Sequence, residues 1–264
     1  MKTELSEKLN ALSIEGRTAL VPFVTCHYPD SQRFERVIVV VLKSGCDVLE
    51  IGFPHTDPLA DGPTIQRSSH VAHGSGFTPQ RGFETIRRLA QRSDVPVVIM
   101  CYANLIYQMG YPSFIARCVA SGVSGLIVPD MILEEGAELR GVCNDNNVSF
   151  IPLVAPTTAP HRAAAICRTA EGFVYFVSVT GTTGARSSIA PDVSDAVTAI
   201  RKISPVPVYT GFGISSPALA RQAAKFSDGV IIGSKLIECI DADNGTRDYA
   251  TLGNFLHEVR TNLL

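Results

Sequence analysis

Two carboxylates are the strongest candidates for chemistry in this sequence. Glu50 interrupts the apolar run 49–53, and Asp61 follows it on a loop that contains three prolines. A charged side chain within an apolar run must face solvent, find a partner or shift its pKa. Two carboxylates in different environments divide acid and base roles when one is kept protonated by burial and the other is left ionised. The pair therefore indicates general acid–base chemistry on a carbon acid or an N–H group. The alternative for Glu50 is a buried, hydrogen-bonded structural acid.

Two glycine-containing segments are candidates for an anion site. The segments are 211–216 and 233–234, and each follows a short apolar run that is typical of a strand. Glycines let backbone N–H groups approach an anion, and a helix that opens at Ser234 adds the partial positive charge of its N-terminus. The pattern favours a phosphate site formed by these two segments. The alternative is a pair of ordinary glycine turns before a capped helix.

The segment 181–190 is rich in glycine, threonine and serine. Its glycines allow hinge motion and its length suits an active-site lid. A long solvated loop explains the same composition equally well.

Other chemistries fit the sequence less well. A metal site could recruit His27, His55, Asp57 and Asp61, but these residues lack the spacing of known zinc motifs. We therefore expect no metal. A Schiff-base mechanism needs a desolvated lysine on a strand, and only Lys235 lies near a strand end. No serine lies in a G-x-S-x-G nucleophile elbow.

The elements that must position these residues alternate regularly along the chain. Short apolar runs predict strands at 19–25, 47–53, 96–102, 125–128, 148–154, 173–179, 207–210 and 229–232, and amphipathic segments between them predict helices. Strands that are apolar on both faces are typical of parallel sheets. Eight such units predict a single α/β domain over 1–264, a (β/α)8 TIM barrel with an extra N-terminal helix at 3–13. A doubly wound sheet is the alternative, but no G-x-G-x-x-G follows the first strand.

In a TIM barrel the chemistry lies at the carboxyl ends of the strands. That rule brings together the polar or glycine residues at those ends, namely Glu50, Asp61, Tyr102, Asn104, Asp130, Tyr175, Thr183, Gly211-Phe212-Gly213 and Gly233-Ser234. An apolar set would line the mouth beside them, where an aromatic substrate could pack, although each member also suits an ordinary core: Phe23, Ile65, Met100, Ile127, Leu153, Tyr175 and Phe212.

Composition limits the partners and the compartment. A net charge of −2 gives no basic surface, which argues against nucleic acid as the main partner. Seven dispersed cysteines are typical of reduced thiols in a cytoplasmic protein. The first ten residues contain no long apolar run, so we expect neither a signal peptide nor a membrane span.

Six segments of the sequence match the motifs of one known family in order and position. They are Leu49-Glu50-Ile51-Gly52, Asp57-Pro58-Leu59-Ala60-Asp61-Gly62-Pro63-Thr64-Ile65-Gln66, Tyr102-Ala103-Asn104, Val128-Pro129-Asp130, Thr180-Gly181-Thr182-Thr183-Gly184-Ala185 and Gly211-Phe212-Gly213-Ile214-Ser215. Through these segments the chain resembles the α subunits of tryptophan synthase along nearly its whole length.

The resemblance implies a carbon–carbon lyase of tryptophan biosynthesis, which cleaves indole-3-glycerol phosphate to indole and glyceraldehyde 3-phosphate by a retro-aldol reaction. Glu50 would pass a proton to the indole ring carbon, and Asp61 would bind the indole N–H. The remaining substrate contacts would come from Phe23, Ile65, Tyr102, Tyr175, Thr183 and Phe212. The phosphate would bind at Gly184, Gly213, Gly233 and Ser234.

The resemblance also implies a partner. A β subunit would dock through Pro54, His55, Asp57 and Pro58 in an αββα assembly, and indole would pass to it through a tunnel. Pyridoxal phosphate is expected only in that β partner, so this chain would need no cofactor.

The sequence departs from the family pattern in ways that concern the partner more than the chemistry. His27 stands where the family usually has glycine, His55 and Thr56 replace Phe-Ser, and Ile132 replaces a proline. Both candidate carboxylates are retained. These departures leave two alternatives open: a free-standing lyase that releases indole to another pathway, and a mainly regulatory partner of a β subunit.

Overall fold

Strands and helices alternate along almost the whole chain in a computed structural model that describes residues 3–177, 189–211, 213–243, 246 and 248–263. The described strands are β1 (Ala19–Thr25), β2 (Leu49–Gly52), β3 (Val97–Met100), β4 (Val123–Ile127), β5 (Ser149–Ile151), β6 (Leu153–Val154), β7 (Val174–Val177), β8 (Val208–Gly211) and β9 (Gly229–Ile232). The described helices are α1 (Glu4–Ile14), α2 (Ser31–Lys43), α3 (Pro63–Gly74), α4 (Pro79–Ala90), α5 (Ala103–Met109), α6 (Tyr111–Ala120), α7 (Ala137–Asp145), α8 (Pro160–Cys167), α9 (Pro191–Ile203), α10 (Pro217–Ala223), α11 (Ser234–Ala242) and α12 (Ala250–Asn262).

The strands form one parallel sheet that closes on itself. Its order is β5-β4-β3-β2-β1-β9-β8-β7-β6. The two outermost strands, β5 and β6, are halves of the single strand predicted at 148–154 and are separated by Pro152. Proline lacks the N–H that a continuous ladder needs, while its carbonyl still accepts a 3.0 Å hydrogen bond from the Tyr175 N–H. The predicted TIM barrel with its extra N-terminal helix is therefore confirmed.

Two helices of the described chain were not predicted. In α3 the buried face is made of Ile65, Ser68, Ser69 and Ala72. The helical spacing is present, but serines and alanine conceal it from a hydrophobicity pattern. Helix α5 has only seven residues, and its first N–H, that of Ala103, is satisfied by the distant Asp130. Such a long-range cap leaves no local signal in the sequence.

Helix α1 covers the end of the barrel at which the strands begin. Leu5, Leu9 and Leu12 belong to the same buried cluster as the barrel residues Val48 and Val98. The helix is also attached by hydrogen bonds, since the Ser6 hydroxyl accepts one from the Gly172 N–H at 2.7 Å. The opposite end of the barrel, where the strands finish, is left for the candidate site. No helix in the described part of the chain is both long and apolar enough to cross a membrane.

We expect Leu9→Ala to destabilise the protein by about 2–4 kcal/mol, because it opens a cavity where α1 fills the barrel end. Leu9 is 0% exposed, whereas Ile14 on the same helix is 87% exposed. Ile14→Ala is therefore the matched control, with an expected change below about 0.5 kcal/mol. Urea denaturation measures both. Equal losses in the two variants would contradict the packing described for α1.

Candidate active site

Glu50 points into the barrel from strand β2. On β2 it pairs in register with Phe23 of β1 and Val98 of β3. Side chains alternate between the two faces of a strand, and Val48 two residues earlier lies in the interior cluster. Glu50 is 0% exposed. Neither of its carboxyl oxygens has a hydrogen-bond partner among the described residues.

This environment changes the protonation of Glu50. Burial raises the pKa of its carboxyl to about 8, and the negative charge of Asp61 adds to the rise. An ionised carboxylate without a partner is very costly away from water, so the proton is retained instead. At neutral pH Glu50 is therefore mostly a neutral acid that has a proton to donate.

Asp61 lies on the loop between β2 and α3 and has polar partners. The Tyr102 hydroxyl donates to its Oδ2 at 3.2 Å, and Gln66 Nε2 donates to its backbone carbonyl at 2.8 Å. Burial raises the pKa of Asp61 to about 6, opposed by the hydrogen bond from Tyr102 and by a positive charge on His55. At neutral pH Asp61 is mostly ionised while Glu50 is protonated. The two carboxyl groups therefore differ in protonation at neutral pH.

Tyr175 lies close to both carboxylates. The pKa of its hydroxyl is raised well above its usual value by burial and then by the charges of Glu50 and Asp61. Its ring lies over Gly211, where an added Cβ would meet the Tyr175 hydroxyl oxygen at 2.7 Å. Phe23 packs over Gly52 in the same way, with a Cβ-to-ring distance of 2.5 Å. Two aromatic rings thus occupy space that glycines leave open at the barrel mouth.

The other predicted substrate contacts divide into two groups. Ile65 on α3 is buried at 9% exposure, and Tyr102 is buried at 7% exposure directly before α5. Thr183 and Phe212 lie outside the described residues. Most of the predicted 181–190 lid lies outside them too.

The described part of the predicted phosphate site lies at the ends of two neighbouring strands. Gly213 follows β8 with a φ of +58°, a conformation that favours glycine. Gly233 follows β9 and caps α11, which begins at Ser234. The first N–H groups of a helix have no partner within it and attract anions. Gly184, the fourth predicted residue, lies outside the described residues.

The four residues predicted to face a partner are not equally exposed. Asp57 is exposed and His55 half-buried, while Pro54 and Pro58 are buried. On the outer side of this loop lies an open cavity of about 450 Å³, lined by Thr56, Asp57, Pro58, Pro63, Gln66, Arg67 and His70. The loop therefore has an inner side towards Asp61 and an outer side with an open groove.

Three polar residues near the site received no role from the sequence. Gln66 holds the Asp61 backbone, Asp130 caps α5, and Asn104 Oδ1 lies 3.1 Å from His55 Nε2. Asn104 and Asp130 were among the strand-end candidates, so the barrel rule located them. Their partners could not be predicted, because each contact joins separate loops.

His27 belongs to the core, away from any metal-binding arrangement. Its Nε2 lies 2.9 Å from Thr85 Oγ1, and its ring packs edge-on against Phe34 and Phe77. Within the described residues no group of three or more His, Cys, Asp or Glu side chains is arranged to hold a metal ion. The His27 backbone has a φ of +61°, which explains why glycine suits this position.

Comparison with known proteins gives the same assignment as the motifs. A family model described as the tryptophan synthase alpha chain matches residues 9–261. The chain belongs to the tryptophan synthase alpha chain family.

Individual relatives cover almost the whole chain. The tryptophan synthase alpha chain of Citrifermentans bemidjiense is 38% identical over 99% of this chain and 98% of its own length. That of Geobacter sulfurreducens is 42% identical over 94% of this chain and 95% of its own. A tryptophan synthase structure from Mycobacterium tuberculosis superimposes with a TM-score of 0.91 at 30% identity, covering 100% of this chain and 99% of that one. The region that matches the tryptophan synthase alpha chain family thus includes every loop of the candidate site.

We expect Glu50→Gln to remove a pH dependence of stability. The folded-state pKa of Glu50, about 8, lies above the unfolded value near 4.5, so the folded chain binds the extra proton. Stability contributed by this proton is present below pH ~4.5 and is lost as the pH rises towards 8. Glu50→Gln mimics the neutral acid at every pH. Its free energy of unfolding, relative to that of wild type, should therefore increase by roughly 2–5 kcal/mol as the pH is raised from 5 to 9. Urea denaturation at both pH values measures the gain, and parallel pH profiles would refute the raised pKa.

Proposed function

We propose that the chain is a carbon–carbon lyase that catalyses the α reaction of tryptophan biosynthesis. Its substrate is indole-3-glycerol phosphate, and its products are indole and glyceraldehyde 3-phosphate. The observation that carries this function is the buried, unpartnered Glu50 beside Asp61 at the mouth of a tryptophan synthase alpha chain barrel. A proton donor with a pKa near 8 and a carboxylate with a pKa near 6 are the two groups that the reaction requires.

The proposed reaction begins with proton transfer from Glu50 to C3 of the indole ring. The ring nitrogen then carries positive charge, which the ionised Asp61 stabilises through a hydrogen bond to the N–H. Glu50, now a carboxylate, takes the proton of the glycerol hydroxyl next to the ring. The C–C bond breaks, its electron pair returns to the ring, and the hydroxyl carbon becomes the aldehyde. Glu50 ends with a proton again, so the cycle needs no other acid or base.

The raised pKa of Glu50 suits both of its roles. A carboxyl group with a normal pKa would be ionised at neutral pH and would have no proton to give to carbon. Near pH 7 a group with a pKa of about 8 donates readily, and its conjugate base is strong enough to accept the hydroxyl proton. Burial in the barrel supplies most of this property, and the negative charge of Asp61 adds to it.

The rest of the mouth fits the two ends of the proposed substrate. The rings of Phe23 and Tyr175 offer an apolar surface beside the carboxylates for indole. Gly213, Gly233 and Ser234 offer backbone N–H groups to the phosphate, and Gly184 completes the predicted set. Gly233 adjoins Phe23, since a Cβ on Gly233 would lie 3.3 Å from Phe23 Cδ1. The proposed indole and phosphate sites are therefore contiguous.

The partner follows from the same proposal. A tryptophan synthase β subunit would dock on the outer side of the 53–62 loop, where Asp57 and the open groove lie, to form an αββα heterotetramer in the cytoplasm. Pyridoxal phosphate would belong to that subunit, with no cofactor in this chain. The seven buried cysteines are free thiols, as a reducing compartment would leave them.

Steady-state cleavage of indole-3-glycerol phosphate, with and without a β subunit, tests the proposed function. We expect measurable turnover by this chain alone and stimulation of at least about tenfold by the β subunit, equivalent to ~1.4 kcal/mol of coupling. Full turnover without stimulation would instead identify a free-standing lyase. No turnover under either condition would refute the lyase and leave a regulatory role.

Substitution of the carboxylates tests their roles. Glu50→Gln and Asp61→Asn should each lower kcat by about 100-fold or more, because each removes a general acid–base or charge-stabilising group. Both variants keep the shape of the side chain, so the KM should change less than kcat. Asp57→Asn, in the same loop but exposed, is the control and should keep the wild-type rate when the chain acts alone. A near-wild-type kcat in either carboxylate variant would exclude that residue from the mechanism.

A further inference from the structure

His55 makes more contacts within this chain than a partner-facing residue needs. Its ring stacks on Tyr102 with 4.6 Å between centroids and 29° between planes. Its Nδ1 lies 3.0 Å from the Asp57 backbone N, and its Nε2 lies 3.1 Å from Asn104 Oδ1. A backbone N–H only donates, so Nδ1 is the acceptor and Nε2 carries the proton that Asn104 accepts. Both ring nitrogens and one ring face of His55 are thus used internally.

Tyr102 connects His55 to Asp61, the candidate catalytic carboxylate. Its hydroxyl donates to Asp61 Oδ2 at 3.2 Å and accepts the Ala60 N–H at 3.0 Å. The Tyr102 backbone is fixed as the residue that precedes α5, whose first N–H, that of Ala103, binds Asp130. The backbone is therefore held by the helix, while the face of the ring rests on His55. A short path joins His55 to Tyr102 and Tyr102 to Asp61.

We propose that His55 is a positioning residue for Asp61, because it holds the Tyr102 ring where the hydroxyl binds the carboxylate. The inference rests on the proposed lyase function and deepens it. From the sequence His55 was expected only at the partner interface, as a replacement for phenylalanine. The structure assigns it a role inside the chain: phenylalanine would keep the stacking on Tyr102 but would lose both hydrogen bonds.

The pKa of Asp61 depends on this arrangement. A positive His55 lowers the pKa of Asp61, as does the hydrogen bond from Tyr102. The titratable groups that face this pair from the surrounding elements are Glu50, Asp57, His73, Tyr102, Asp130 and Tyr175.

Three variants separate stacking, hydrogen bonding and ordinary loop packing. His55→Ala removes the ring, and His55→Phe keeps the ring but not its hydrogen bonds or charge. Leu59→Ala changes an 83% exposed side chain on the same loop and serves as the control. We expect His55→Ala to lower kcat about 10- to 100-fold with a small change in KM, because Asp61 loses its orientation. In His55→Phe most of the lost kcat should be recovered.

The pH profile distinguishes positioning from a merely structural role. Loss of His55 removes two influences that lower the pKa of Asp61, so this pKa should rise. At low pH kcat should fall as Asp61 becomes protonated. The midpoint of this fall should move to higher pH by about one unit in His55→Ala. In His55→Phe a part of this shift should remain, because the ring is restored without the charge. Leu59→Ala should have the wild-type profile.

A direct titration keeps the inference testable even if the lyase function fails. The pKa of the Asp61 carboxyl is measured by carbon NMR in the full chain and in each variant, with Asp61→Asn to assign the signal. A higher Asp61 pKa in His55→Ala than in wild type and Leu59→Ala supports the inference whether or not indole-3-glycerol phosphate is cleaved. An unchanged Asp61 pKa in His55→Ala, or an equal shift in Leu59→Ala, would overturn it. Absence of turnover by the wild-type chain, both with and without a β subunit, would refute only the proposed function.

Discussion

The burial of one carboxylic acid without a hydrogen-bond partner is the constraint on which the rest of the site depends. A neutral polar group left unpaired costs about 1–3 kcal/mol, and an ionised one costs far more. The barrel makes the neutral form of Glu50 the stable one, because Glu50 and its register partners Phe23 and Val98 are all buried. Any opening of the barrel wall would let water solvate the carboxylate and return its pKa towards normal. The raised pKa of Glu50 therefore depends on an intact barrel.

Two pairs of a glycine and an aromatic residue at the mouth contribute to this environment. Phe23 and Tyr175 occupy the space over Gly52 and Gly211, where a methyl group would overlap their rings. Because these glycines lie on strands, the two rings pack directly against the backbone of the barrel wall. Each ring presents an apolar surface to the carboxylates. At the other end α1 supplies leucines to the interior. Apolar surfaces thus enclose Glu50 from several directions. Asp61, in contrast, lies on a loop that can supply hydrogen bonds.

The features of the sequence that repeat could be predicted, and those that depend on single contacts between loops could not. Strands β1 and β9 have their predicted bounds, because continuous apolar runs with clear ends determine them. Glu50 was singled out as a carboxylate at the end of an apolar strand, where the chemistry of a TIM barrel lies. Helix α5 escaped prediction because its cap, Asp130, lies 27 positions from Ala103. The same reason hid the inner role of His55, whose partners Tyr102 and Asn104 belong to the loop and helix after another strand.

Glu50 and Asp61 differ in how firmly the fold determines their properties. Glu50 is held by strand register on both sides, so its pKa depends on the whole barrel and changes little with local motion. The position of Asp61 depends on Tyr102, Gln66 and, through Tyr102, His55. Each of these contacts comes from a side chain, and each can be altered without unfolding a strand. Control of the chemistry by sequence variation in these contacts therefore acts on Asp61 more than on Glu50. A residue such as His55, which contacts Tyr102 on one side and the exposed Asp57 backbone on the other, is placed to exert that control.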